Sequence, residues 1–165
     1  MTSDGLNDDF SMRVVVATAD MDWQASPSPS VWRKRLEHSG PAEAGRVTSL
    51  VRFDANSEFP LHDHPGGEEI LVLEGPFSDE HGDYGAGTYL LNAEGFSHAP
   101  FSKPGCVLFV KLRQYSGDHR AQVIVDTNTE AWNAGRVEGV EVMPLYGEDG
   151  HPESMRFVRF APGAQ

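Results

Sequence analysis

Cysteine is almost absent from this sequence: Cys106 is its one thiol, so no disulfide can form within the chain. A single cysteine agrees with a reducing compartment. We expect Cys106, beside Gly105 at the start of a strand, to be a small core residue rather than a reactive thiol. Long apolar runs are also missing, because the longest ones, such as Ile70–Leu73 and Cys106–Val110, are far too short to cross a bilayer.

Basic residues are scarce as well, with 13 Lys and Arg against 25 Asp and Glu. This balance argues against nucleic acid as a direct ligand, since phosphate binding relies on clustered cations. The one local basic run is Arg33-Lys34-Arg35. Its members would alternate faces on a strand, which favours a solvated edge over a binding patch. The start of the sequence lacks the basic and apolar stretches of a secretory signal, so we expect a soluble cytoplasmic protein.

Short apolar segments separated by turns are what the sequence has in quantity, together with 17 Gly and 11 Pro. Segments at this spacing, with no helical period, predict an all-β sandwich or barrel. Residues 1–11 are polar and acidic and are expected to be a flexible tail, which leaves 12–165 as a single domain. The predicted strands are Met12–Ala17, Val31–Glu37, Arg46–Asp54, Glu68–Glu74, Gly87–Leu91, His98–Phe101 and Val107–Arg113.

An internal repeat relates the C-terminal part of the chain to its N-terminal part. At a constant offset of 109 residues, the matching positions are Val15–Thr18 with Ile124–Thr127, Trp23 with Trp132, Val31 with Val140 and Leu36 with Leu145. After a two-residue gap, Leu50–Phe53 lines up with Phe157–Phe160. Self-similarity of this kind indicates duplication, the alternative being chance similarity between β-rich segments. Residues 123–165 then resemble the start of a second unit, with strands at about 136–145 and 154–161.

Histidines and one glutamate are the candidates for chemistry. His62 and His64 lie on one face of an extended segment, because side chains alternate along it. Glu68 follows the turn Pro65-Gly66-Gly67 at the start of the next strand, and His98 comes from another strand. Each histidine on its own is better explained as a polar residue, on the surface or in the core, whose hydrogen bonds are satisfied. Together, three imidazoles and a carboxylate suit one divalent transition metal ion.

The spacing around these four residues resembles the two motifs of the cupin superfamily. The first motif, H-x-H-x3-E-x6-G, runs from His62 to Gly75, and the second, G-x7-G-x2-H, ends at His98. The segments H-P-G-G-E-E, from His64, and L-V-L-E-G, ending at Gly75, resemble the ChrR-like cupin domain in particular. The resemblance covers about residues 14–115. The chain departs from the motifs at three turn positions, where Asn56, Ala93 and Ser102 replace Gly, Pro and Asn.

This resemblance implies a jelly-roll β-barrel, the double-stranded β-helix, with extra terminal strands. It implies the metal ligands His62, His64, Glu68 and His98, with Glu69 as the rival carboxylate. The x6-G spacing favours Glu68, and strand alternation places Glu69 on the opposite face. The chain has no counterpart of the anti-sigma zinc domain of ChrR, so an anti-sigma role is not implied.

Two functions agree with the resemblance. The first is a metal-dependent dioxygenase, usually with Fe²⁺, that cleaves carbon–carbon bonds in diketones or hydroxy-ketones. The alternative is a non-catalytic zinc-binding sensor or ligand-binding module. The expected cofactor is one divalent ion, zinc or iron, and the expected partners are a small molecule and a second copy of the chain. Leu71 and Leu73 oppose Ile70 and Val72, so both faces of their strand look buried, against another copy or against the C-terminal part.

Overall fold

The computed structural model describes residues 5–41, 43–114, 120–147 and 150–164. Over these residues the regular secondary structure is nearly all strand, with one short 3-10 helix at Thr18–Asp20, and this confirms the predicted all-β class. No helix among the described residues is long and apolar enough to cross a membrane. The strands of the described residues are β1 (Gln24–Ala25), β2 (Val31–Ser39), β3 (Arg46–Phe53), β4 (Ser57–Glu58), β5 (His62–His64), β6 (Glu68–Glu74), β7 (Phe77–Asp79), β8 (Gly82–Tyr84), β9 (Thr88–Asn92), β10 (Phe96–His98), β11 (Phe101–Ser102), β12 (Cys106–Leu112), β13 (Val123–Asp126), β14 (Asn133–Ala134), β15 (Val140–Gly147) and β16 (Ser154–Phe160).

The largest sheet forms one wall of the molecule, in the antiparallel order β1-β2-β3-β12-β6-β9-β13. A smaller sheet, β4-β11-β7-β8, and the pair β10-β5 form the opposite wall. Along β6, Ile70 and Val72 point inward and are each 1% exposed, because alternate side chains of a strand face the same side. They belong to a core that draws apolar side chains from both walls, including Phe53, Phe77, Leu90 and Leu108.

The two walls form a β-sandwich, whereas the resemblance implies a barrel. Among the described strands, hydrogen bonding does not close the sheets into one continuous ladder. Side chains buried between the walls hold them together instead. Cys106 lies in this core at 3% exposure, and burial raises the pKa of its thiol to about 11. The prediction that Cys106 is a core residue is therefore confirmed.

Most predicted strands lie within two or three residues of the observed ones, and β6 has the predicted bounds Glu68–Glu74. The single strand predicted at His98–Phe101 is wrong, because β10 ends at His98 and β11 begins at Phe101. Pro100, which has no N–H to donate to a ladder, lies between them.

The strand predicted at Met12–Ala17 is also wrong, since residues 12–17 form no strand. The N-terminal segment is tied to β2 by single contacts rather than by a ladder. Leu6 and His38 exchange backbone hydrogen bonds of 2.9 and 2.8 Å, and the Lys34 ammonium donates to the Thr18 carbonyl at 2.7 Å. These contacts hold the segment in an irregular path, and its apolar side chains stay largely exposed.

Strands β14, β15 and β16 reproduce the arrangement of β1, β2 and β3. Both copies have the same cross-strand register, a bulge at the same point and the same cation–π contact. The matching features are Val31 opposite Phe53 with Val140 opposite Phe160, the bulge after Arg35 with the bulge after Pro144, and Arg52 at 4.8 Å over Trp23 with Arg159 at 4.2 Å over Trp132. A correspondence that includes a bulge is what duplication of one unit produces.

The second three-stranded sheet packs on the outer face of the main sheet. Its Met143 is 1% exposed and lies in one cluster with Tyr89 and Leu91 of β9, and Leu71 of β6 packs against that cluster. The chain itself therefore covers the outer face of β6 at Leu71, whereas Leu73 is 42% exposed. The homodimer expected from the sequence stays a prediction.

This packing makes two phenylalanines of the same strand unequal. Phe157 of β16 packs into the cluster around Met143, whereas Phe160 is 63% exposed. Replacing Phe157 with Ala should lower the free energy of unfolding by about 2–3 kcal/mol, because it leaves a cavity between the sheets. The matched variant Phe160→Ala should cost less than about 1 kcal/mol. Urea denaturation measures both, and equal losses would contradict the packing described here.

Candidate metal centre

Two antiparallel strands bring three histidines together. In the pair β5–β10, His98 lies opposite His62, and Phe96 lies opposite His64. Because alternate side chains point the same way, His62, His64 and His98 share one face. That face is turned into the molecule: His64 is 8% exposed, His98 is 1% exposed and His62 is half-buried.

The turn after His64 brings a carboxylate to the same place. Gly67 has a φ of 71°, a left-handed conformation that favours glycine, and its N–H donates to the His64 carbonyl at 3.1 Å. Strand β6 then begins with Glu68 pointing inward. The Glu69 carboxylate lies on the outer face, where it accepts a 2.6 Å hydrogen bond from the Tyr89 hydroxyl. The alternation predicted for the two glutamates is therefore confirmed.

The distances among His64, His98 and Glu68 are close to those between ligands of one ion. The ligand nitrogens of the three histidines lie within 4.8 Å of one another. His64 Nε2 is 3.1 Å from His98 Nε2, and Glu68 Oε2 is 3.4 Å from the first and 3.6 Å from the second. Two ligand atoms about 2.1 Å from one ion are separated by about 3.0–3.4 Å at octahedral or tetrahedral angles. The three histidines are positioned to bind a metal ion, and Glu68 Oε2 borders the same space.

Hydrogen bonds on the far side of two rings direct their lone pairs toward this space. His98 Nδ1 is 3.1 Å from Asp79 Oδ2, and His62 Nδ1 is 2.9 Å from the Pro60 carbonyl oxygen. An oxygen acceptor requires a protonated Nδ1, so each neutral ring presents the lone pair of Nε2. A carboxylate or carbonyl behind a ligating histidine is the usual support of a protein metal site.

Burial keeps the imidazoles in the form that metals bind. It lowers the pKa of His64 to about 3, with smaller contributions from His98, His62 and Arg113. Burial also lowers the pKa of His62, so both rings are neutral at pH 7. The same desolvation raises the pKa of the Glu68 carboxyl to about 7, against a 3.2 Å hydrogen bond that Asn92 donates to Oε2. Loss of water is the dominant effect on all three groups.

The centre opens onto a cavity of about 230 Å³ between the two walls. His62, His64, Glu68 and His98 line one part of it. Much of the remaining wall is apolar and includes Val51, Phe53, Phe59, Ile70, Leu108 and Val110. A cavity of this size and character holds a small organic molecule with a few polar atoms.

Three arginines line the same cavity and correct one sequence prediction. Arg33 and Arg35 point inward from β2, and Arg113 follows the end of β12. Lys34 points the other way, to Thr18, so the predicted alternation is right. The solvated edge expected for this run is wrong, because both arginines face the cavity and have side chains only 21% and 29% exposed.

Two supporting residues were not predicted from the sequence. Asp79, behind His98, belongs to the acidic hairpin around Glu80 and Asp83, and no spacing to a motif marks it out. Asn92, which holds Glu68, lies at the end of β9, one residue beyond the predicted strand. Both reach the centre through cross-strand neighbours, and such contacts require the sheet register to be known.

The sequence profile of one family, the ChrR cupin-like domain, matches residues 11–116 of the chain. The chain belongs to the ChrR cupin-like family. The match includes both histidine-bearing segments and ends shortly after β12, so the second copy of the three-stranded unit lies outside it. A search of curated proteins gives no match.

Solved structures share the fold of this cupin at low sequence identity. A provisionally assigned glyoxylate-induced protein from Pseudomonas aeruginosa matches with a TM-score of 0.66 and 12% identity, over 86% of this chain and 59% of that one. A provisionally assigned dioxygenase from Nostoc punctiforme matches with a TM-score of 0.59 and 14% identity, over 78% of this chain and 53% of that one. A provisionally assigned acetylacetone dioxygenase from Methylibium petroleiphilum matches with a TM-score of 0.52 and 19% identity, over 71% of this chain and 92% of that one. The chain thus spans little more than half the length of the first two proteins, and these likenesses show the fold.

The carboxylate behind His98 yields a test of the centre. Replacing Asp79 with Asn should weaken metal binding by about 10- to 100-fold, because a neutral amide replaces the carboxylate that orients the His98 ring and raises its basicity. The control is Asp83→Asn in the same hairpin, whose carboxylate contacts Ser78 rather than His98. Titration of the metal-free protein with Zn²⁺ against a chelator measures both affinities. An Asp79→Asn variant with the wild-type affinity would contradict the supporting role of the Asp79 carboxylate.

Proposed function

We propose that this cupin is a metal-dependent dioxygenase that cleaves a carbon–carbon bond in a small diketone or hydroxy-ketone. One observation carries the proposal: three histidine nitrogens lie together, with a carboxylate oxygen beside two of them, at the wall of a partly apolar cavity large enough for such a molecule. Two structures with the same fold are provisionally assigned as dioxygenases, one of them of acetylacetone. The fold therefore agrees with this chemistry, and the donor set supports it.

The residues present fit a divalent transition metal. His62, His64 and His98 would supply three nitrogen ligands, and Glu68 Oε2 would supply an oxygen ligand. Nitrogen and oxygen donors of this kind suit Fe²⁺ or Zn²⁺ and leave one or two positions open on an ion that prefers five or six ligands. When bound, the ion supplies a Lewis acid that favours the enolate form of the substrate and a site for O₂ chemistry.

The chain's own side chains prepare this site in three ways. Asp79 and the Pro60 carbonyl fix the rings of His98 and His62, so little reorganisation is needed when a ligand arrives. Asn92 holds Glu68 Oε2 toward the centre at 3.2 Å. The apolar wall displaces water from around the reacting carbonyl groups, which strengthens the electrostatic interactions within the cavity.

The proposal predicts oxygen consumption that depends on the substrate. Protein loaded with Fe²⁺ should consume one O₂ per pentane-2,4-dione, because cleavage with both oxygen atoms retained gives acetic acid and 2-oxopropanal. An oxygen electrode and mass spectrometry of the products check this, with the metal content of the natively purified protein measured in parallel. Zinc alone in the purified protein, and no oxygen uptake over a panel of diketones and hydroxy-ketones, would contradict the proposal and support the zinc-binding sensor.

The ligand set has a separate test. His98→Ala should lose most of the bound metal, because the remaining donors leave one side of the ion unheld. Glu68→Gln should retain the metal with about 10-fold or more weaker affinity, since a neutral amide replaces a charged oxygen donor. The matched control is His151→Ala, a histidine of the second three-stranded unit. Metal analysis after gel filtration gives the stoichiometry, and full occupancy in His98→Ala would refute the assignment.

A further inference from the structure

Cations are concentrated in the cavity of an acidic protein. The chain has 13 Lys and Arg residues and a formal net charge of -12, yet Arg33, Arg35 and Arg113 all line this one cavity. Taking guanidinium groups out of water costs free energy unless they are paired with anions. The cavity therefore holds a group of cations whose pairing needs an explanation.

A carboxylate of the chain itself occupies the arginines. Glu43, in the loop between β2 and β3, lies across both guanidinium groups of β2. Arg33 donates to its two oxygens at 3.0 and 3.1 Å, the parallel geometry of a bidentate pair, and Arg35 donates to Oε1 at 3.0 Å. These hydrogen bonds lower the pKa of Glu43, so the group is ionised. The two arginines thus form a built carboxylate site with an internal occupant.

This internal carboxylate can exchange with an external one. The Glu43 side chain is 57% exposed, so it can turn into solvent without a large loss of hydration. Its bidentate contact is stronger than a typical surface ion pair, and a ligand carboxylate in the same place would make the same hydrogen bonds. Arg33 and Arg35 are held more firmly, because they extend from the middle of β2 and are only 21% and 29% exposed. The fixed partners are cations, and the movable partner is the anion.

Arg113 adds a third cation beside the histidines. It has a φ of 55°, an uncommon conformation for a residue with a side chain, and its guanidinium donates at 3.3 Å to the carbonyls of Glu43 and Gly45. A Cβ on Gly66 would lie 2.8 Å from Arg113 Cγ, so the glycine leaves room for this side chain. The same cavity is lined by the carboxylates of Glu43, Asp63 and Glu68, so its charges are mixed. Of its three arginines, Arg33 and Arg35 are the pair already arranged around a carboxylate.

We propose that the cavity binds an organic anion whose carboxylate replaces that of Glu43 on Arg33 and Arg35 while its oxo group faces the histidine centre. The second half of this statement rests on the proposed function. Guanidinium pairs recognise carboxylates by bidentate hydrogen bonds, and Glu43 already shows that this geometry is available. The substrate would then be a diketone or hydroxy-ketone that carries a carboxylate, rather than an uncharged diketone or hydroxy-ketone.

A matched pair of ligands tests the proposal. Pentane-2,4-dione and 2,4-dioxopentanoate share the diketone group, and the second carries a carboxylate in place of a methyl group. Calorimetric titration of the zinc-loaded protein should give at least about 10-fold tighter binding of 2,4-dioxopentanoate, the advantage expected of a charge-assisted bidentate contact. Equal affinities, or no measurable binding of 2,4-dioxopentanoate, would overturn the proposal.

Variants separate the arginines from the metal, which also attracts carboxylates. In the double variant Arg33→Gln/Arg35→Gln the preference should fall to about twofold or less, while binding of pentane-2,4-dione stays unchanged. The charge-matched control Arg136→Gln, at an exposed position of the second unit, should keep the full preference. A preference that survives in the double variant would show that the carboxylate binds elsewhere.

Glu43→Gln tests the same site with both arginines intact, should the double variant fail to fold. Loss of the internal competitor should tighten binding of 2,4-dioxopentanoate about threefold or more and leave pentane-2,4-dione unaffected. Unchanged or weaker binding of 2,4-dioxopentanoate would refute the displacement of Glu43. Oxygen uptake is measured separately. Arginine-dependent binding without oxygen uptake would contradict the dioxygenase and support the anion site. Oxygen uptake without a preference for the carboxylate would support the dioxygenase and contradict the anion site.

Discussion

The structure depends on holding three imidazole lone pairs and a carboxylate oxygen close together in a buried space. His64 Nε2 and His98 Nε2 are 3.1 Å apart, and Glu68 Oε2 is within 3.6 Å of both. Burial removes water from these groups and disfavours the charged form of each, so it lowers the pKa of His64 and raises that of Glu68. A divalent cation held between them would replace part of the lost hydration. The antiparallel pair β5–β10, the left-handed turn at Gly67 and the start of β6 are the features of the fold that bring these atoms together.

The cavity beside this centre also contains charged side chains that are partly removed from water. A dication on the proposed ligands would leave a net positive charge, because Glu68 is the one anion among them, and the arginines of β2 line the same cavity. Such an excess is tolerated because Glu43 neutralises part of it, and the acidic surface of the protein supplies a compensating field at longer range. An uncharged diketone would gain little binding free energy from the arginines, since its oxygen atoms could bind the metal ion without a second cation. Apolar walls between the arginines and the histidine centre suit the proposed ligand, a short molecule with a carboxylate at one end and an oxo group at the other.

His62, His64 and Glu68 could be predicted because their spacing is local: alternation places both histidines on one face, and a turn of three residues returns Glu68 to it. His98, on another strand, could be predicted only through the resemblance to the second cupin motif. The all-β class followed in the same way, from short apolar segments and turns. Asp79 and Asn92 escaped prediction because they meet the centre across strands, and two-residue periodicity says nothing about which strands are neighbours. The arginines show a second limit of prediction from sequence. Alternation was correctly predicted for the run at 33–35, but its arginines were predicted to face solvent. Cations are rarely buried unless a cavity receives them, and the sequence does not show the cavity.

Divergence between the two copies of the three-stranded unit explains why they pack differently. Lys34, Glu37 and Thr48 in β2 and β3 correspond to Met143, Tyr146 and Met155 in β15 and β16. The first set is polar, and the N-terminal segment contacts it through Lys34 and the Thr18 carbonyl. The second set is apolar and is buried on β6 and β9. On the other face of each unit the difference is reversed, because the first copy is buried there and the second is exposed. Phe53 is 5% exposed within the core between the walls, whereas its counterpart Phe160 is 63% exposed. The same backbone thus builds a cavity wall in one copy and an outer cover in the other, and Arg33, replaced by Val142 in the second copy, belongs to the wall alone.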